Sequence, residues 1–101
     1  MKEYMYFLKL VDRLKSGVWT KEDESIINDH VSYLSNLKDR KILVFAGRTQ
    51  TDDENTVGLV LFYANNLEEA EIIMENDPAV SNGIMTGEVV EFSTAIQGQW
   101  K

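Results

Sequence analysis

A chain of 101 residues supports one hydrophobic core of moderate size, so a single domain spanning 1–101 is expected. Seventeen acidic residues against ten basic ones give a net charge of -7, which repels a phosphate backbone and argues against nucleic acid as a partner. There is no cysteine for disulfides or thiolate chemistry, no apolar run near the ~20 residues of a membrane span, and no export signal, so a cytoplasmic protein without a membrane partner is expected.

Met5 to Val11 alternates and is rich in aromatic and branched residues, which predicts a first strand. Asp12 to Thr20 holds Gly17 and little pattern, and predicts a loop with at most one helical turn. Thr20, followed by Glu22, Asp23 and Glu24, predicts a helix start. That helix is expected to run to about Arg40, with Lys38, Arg40 and Lys41 suiting its C-terminal dipole. Ile26, Ile27, Val31, Leu34 and Leu37 recur within it at helical spacing and predict one buried stripe.

Ile42 to Thr49 predicts a second strand containing Ala46-Gly47, and Val57 to Tyr63 a third. The polar connector between them, Gln50 to Asn55, predicts a hairpin. Its acidic run Asp52-Asp53-Glu54 lacks the glycine and spacing of a calcium loop. Asn65-Asn66 before Leu67, with Glu68, Glu69 and Glu71 behind, predicts a second helix start, and Leu67, Ala70, Ile73 and Met74 its buried stripe. Asp77-Pro78 stops that helix, because a residue before proline is pushed out of the helical region. Pro78 opens a short turn through Asn82, and Gly83 to Ala95 is expected as the last strand.

The order β-α-β-β-α-β is the ferredoxin-like arrangement, an α+β fold with one antiparallel sheet and two helices on one face. Tyr4, Tyr6, Phe7, Leu8, Leu10, Phe45, Phe62 and Tyr63 carry more apolar area than one sheet face can hold. A second apolar face is normally an interface, and a homodimer packed sheet against sheet is the simple remedy.

The one histidine, His30, falls on the apolar stripe, four residues after Ile26 and four before Leu34. A side chain that titrates near neutrality thus points at the core or at a cleft beside it, as a general acid-base or as a structural histidine satisfied by one hydrogen bond. Asp77 ends the stripe of the second helix, and the two helices lie side by side in this topology. A carboxylate there can fix the tautomer of the imidazole, or serve as a helix N-cap, or both. Asp39 is an alternative partner, about half a turn off the His30 face. Arg48, after Ala46-Gly47, offers a cation to a substrate carboxylate or is a surface arginine. Tyr6, sharing a face with Tyr4, offers a phenol to a ligand or packs in the core. Trp19 and Trp100 fall in irregular or terminal segments and suit packing over a neighbouring subunit. With one histidine and no cysteine, neither a transition-metal site nor a cofactor is expected.

His30-Val-Ser-Tyr33-Leu34-Ser-Asn-Leu37, followed by Ile42-Leu-Val-Phe-Ala46-Gly47, resembles the first-helix and second-strand segment of the YciI-like (YCII-related) proteins. Leu67-Glu-Glu-Ala70 and then Asn76-Asp77-Pro78-Ala79-Val80 resembles the same family's second-helix segment. The likeness runs from Tyr4 to about Phe92. It implies a dimeric α/β barrel of ferredoxin-like subunits, with a site built on a histidine and an aspartate at His30 and Asp77. The chain departs from the pattern where Lys41 replaces a helix-ending glycine and Arg48 a proline.

Three functions follow as expectations. The first is a cofactor-independent enzyme on a small organic molecule, with His30 as acid-base and Asp77 as its orienter. The second is a protein that binds a small ligand without converting it. The third is a dimerisation domain in which His30 only satisfies a buried polar group.

Overall fold

The computed structural model describes residues 1–15, 17–51 and 55–98. The acidic run 52–54 and Trp100 lie outside these. The elements are β1 (Lys2–Leu10), α1 (Asp12–Lys15), α2 (Lys21–Asp39), β2 (Leu43–Arg48), β3 (Gly58–Ala64), α3 (Leu67–Glu75), α4 (Pro78–Ser81) and β4 (Met85–Phe92). The sheet order is β2-β3-β1-β4, with every neighbouring pair antiparallel. This is the ferredoxin-like α+β topology, with two short helices, α1 and α4, added at the connections.

Local chemistry accounts for the boundaries. Thr20 caps α2 through a reciprocal box: its hydroxyl accepts from the Asp23 N–H, and the Asp23 carboxylate accepts from the Thr20 N–H. Asn66 caps α3 by accepting from the Glu69 N–H. At the far end of α2, Lys41 takes φ 60, Lys41 N–H bonds the Lys38 carbonyl, and Ile42 N–H bonds that of Leu37. That is the left-handed helix stop a glycine usually supplies, here imposed on a lysine at a cost of about 1 kcal/mol.

The pleat sorts side chains into two faces. Tyr4, Tyr6 and Leu8 of β1 and Val60, Phe62 and Ala64 of β3 face the helices, and pack with Ala70 and Met74 of α3 and Leu34 of α2. Tyr6 meets Phe62 edge-on, with ring centroids 5.5 Å apart. A smaller cluster joins Leu14, Ala79 and Ile84 to Trp19, Ile26 and Ile27. On the opposite face, register aligns Phe45, Leu61, Met5 and Val90 in a row across all four strands. Phe45 is 49% exposed, and Tyr63 and Phe92 on the same face are exposed too.

Three expectations need correction. Leu67 is 42% exposed, at the first position after the α3 cap. Val31 is 55% exposed, because it lines an open cleft instead of packing in the core. The last strand is shorter than Gly83–Ala95: Gly83 turns at φ 73 and Ile84 N–H is tied to the Ala79 carbonyl, so pairing starts at Met85.

Candidate active site

The stripe position of His30 brings its ring against the α3–α4 junction. Asp77 is extended there, as the following Pro78 demands, and caps α4 through its side chain. His30 Nδ1 lies 2.7 Å from Asp77 Oδ1 and 2.8 Å from Oδ2. Tyr6 donates its hydroxyl to Oδ2 at 2.7 Å, and the Ala79 N–H donates to Oδ1 at 3.0 Å. Four elements converge on one carboxylate: β1, α2, α4 and the junction itself. Asp39 makes no such approach to His30.

Asp77 and Tyr6 have no solvent exposure, whereas the His30 side chain retains 14%. The carboxylate acts as acceptor to all three partners, so the network assigns the shared hydrogen to Nδ1 and the lone pair to Nε2. Among the described residues Nε2 has no protein partner, and no buried side-chain nitrogen or oxygen lacks one, so Nε2 is open to solvent. Burial, then the neighbouring Asp77 charge, pushes the Tyr6 phenol far above its usual range. Tyr33, one turn after His30, is pushed up by the same two causes and donates to the Ile73 carbonyl at 2.7 Å, tying α2 to α3.

His30 lines a cleft of about 820 Å³ between α2 and one end of the sheet. All four strands reach it: Leu8 and Leu10, Ala46 to Arg48, Gly58 to Val60, and Met85. The lining is mostly apolar, with Glu24 and Asn28 of α2 as polar points and Trp19 closing one side. Such a cleft, apolar with few convergent polar groups, suits a small ligand. Arg48 stands on it, while the Tyr6 hydroxyl is turned to Asp77 behind the ring. Sequence reasoning missed Trp19 as a cleft wall and Tyr33 as a tie. The helical spacing of Tyr33 to His30 was the available signal for the second.

Residues 5–93 match the YCII-related domain. The chain belongs to the YCII-related family. No curated protein matches this member. Among solved structures it is similar to 5-chloro-2-hydroxyhydroquinone dehydrochlorinase (TftG) from Burkholderia phenoliruptrix AC1100, in complex with 2,5-dihydroxybenzoquinone. The TM-score is 0.66 at 19% identity, over 90% of this chain and 93% of that one. At that identity the likeness shows a shared fold. Among the described residues no helix of this YCII-related protein is long and apolar enough to cross a membrane.

Proposed function

We propose that this YCII-related protein is a cofactor-independent enzyme that moves protons on a small, planar organic molecule. One observation carries the reading: a solvent-open Nε2 on an apolar cleft, with Nδ1–H held by a fully buried carboxylate. Nε2 takes a proton from a substrate hydroxyl or carbon, and Asp77 offsets the charge that appears on the ring. Asp77 thereby acts as a positioning residue, with Tyr6 and the Ala79 N–H holding it. Arg48, on the β2 side, supplies a cation for an anionic group of the substrate.

The neighbour's ligand, a dihydroxylated quinone, has the flatness and size that an apolar cleft between helix and sheet accepts. Hydroxylated and halogenated single rings are therefore the first substrates to try. For a ring that bears both groups, one hydroxyl proton moves to the carbon carrying chlorine, Nε2 takes the proton of a second hydroxyl, and its carbonyl forms as the C–Cl bond breaks, a net loss of HCl that leaves a quinone. Phe45, Tyr63 and Phe92, exposed together on the sheet face away from the helices, support a homodimer that covers this face.

His30→Ala tests the reading. Turnover of the best ring in such a panel is expected to fall at least ~100-fold, with the fold retained by circular dichroism. Turnover at the wild-type rate in that variant overturns it.

A further inference from the structure

We propose that Trp19 sets the size of ring the cleft accepts, held in place by the Arg13–Asp23 pair; the proposal rests on reading the cleft as a substrate site. The floor and roof of the cleft belong to strands and a 19-residue helix, whose positions the core dictates. Trp19 is different. It comes from the connector between α1 and α2, is half-buried, and forms a wall of the same cleft.

That connector is clamped from both sides. The Arg13 guanidinium grips Asp23 with two bonds, at 3.0 and 2.8 Å. The same carboxylate accepts the Thr20 N–H at 3.0 Å, next to Trp19. The chain also doubles back tightly: a Cβ on Gly17 would lie 2.1 Å from the Arg13 carbonyl oxygen, so only glycine fits. A planar fork on a carboxylate fixes direction as well as distance.

Trp19 is also coupled to the dyad. It packs on the cluster of Leu14, Ala79 and Ile84, and the Ala79 N–H is the one that holds Asp77. The wall and the His30–Asp77 pair thus share a support. A flat ring seated against the indole is placed at a set distance from Nε2, and a larger ring meets the wall.

The test compares dissociation constants by calorimetry for two rings: 2,5-dihydroxybenzoquinone and the fused 2-hydroxy-1,4-naphthoquinone. Wild type is expected to prefer the single ring. Trp19→Ala is expected to shift the ratio toward the fused ring by roughly tenfold, and Trp19→Phe by less. Arg13→Ala shifts it in the same direction; it removes the grip on Asp23 and touches neither the cleft lining nor the dyad. In a Trp100→Phe background Trp19 is the remaining indole, and its fluorescence is expected to fall as the single ring saturates. An unchanged ratio in Trp19→Ala, or in Trp19→Phe and Arg13→Ala should the alanine variant not fold, overturns the proposal. So does wild type that binds neither ring, or saturation without quenching. The enzymatic reading stands or falls separately, because His30→Ala is read in turnover and the Trp19 variants in binding ratio.

Discussion

Two charged side chains are buried among the described residues, Asp23 and Asp77, and both sit at helix N-termini. Each accepts backbone N–H groups as a cap. They differ in their side-chain partners. Asp23 is gripped by the Arg13 guanidinium, a permanent cation whose hydrogen bonds hold the carboxyl well below the usual range. Asp77 faces an imidazole and a phenol, neither of which is permanently charged. An arginine fork ends the chain of interactions at itself. An imidazole passes it on, because its second nitrogen reaches the cleft. The same capping chemistry therefore builds a latch in one place and, on the proposed reading, orients a base in the other.

The sharpest way to break the comparison is to remove each carboxylate's function in turn. Asp77→Ala leaves the Tyr6 hydroxyl, the Ala79 N–H and the His30 ring without their acceptor in a sealed place. It is expected to cost about 3 kcal/mol in urea unfolding. Asp77→Asn keeps the volume but turns one acceptor into a donor, so the Nδ1–H arrangement is lost. Turnover is expected to fall at least ~100-fold with a smaller loss of stability. Wild-type turnover in Asp77→Asn would reduce Asp77 to a cap like Asp23.

Much of this arrangement is legible in the sequence, for a local reason. Helical spacing places His30 on the inner stripe, and the proline rule fixes the backbone at Asp77. The βαββαβ order then sets the two helices side by side, so the pair can meet. What stays hidden is non-local. Whether the Tyr6 hydroxyl turns to a ligand or to Asp77 depends on side-chain packing across 71 residues of chain. The Arg13–Asp23 grip spans a connector with no periodicity, and with it goes the place of Trp19. The exposure of Val31 and Leu67 depends on what the rest of the chain packs against each position, which spacing within a helix does not encode.

For Asp23 the expected effects on stability are smaller, and what it touches in function is the binding ratio set at Trp19, not turnover. Thr20→Ala removes half of the capping box and is expected to cost about 1 kcal/mol. The depressed carboxyl adds a pH signature. Its contribution is fully present above the unfolded value of about 4 and is lost as pH falls through the folded one. Asp23→Asn should therefore flatten the decline of melting temperature below pH 4 and leave proton transfer at His30 in place. An acid limb identical to wild type would show that Arg13 does not hold the charge.

Tyr6→Phe is the mildest and most discriminating change. It deletes one of three donors to Asp77 and keeps the ring that packs on Phe62. About 1 kcal/mol of stability should be lost at neutral pH, and turnover should fall about fivefold, because Nδ1–H and the Ala79 N–H still orient the carboxylate. The alkaline limb separates this from general loosening. The unfolded phenol ionises near pH 10, whereas burial and the Asp77 charge keep the folded one protonated far above that. Its stabilisation is thus complete below about pH 10 and declines as pH rises further. Tyr33 adds to the same limb for the same causes, so Tyr6→Phe should make the decline of melting temperature shallower without abolishing it. A limb as steep as wild type, with turnover unchanged, would mean that the phenol merely fills space and that Asp77 is held by the imidazole and the backbone alone.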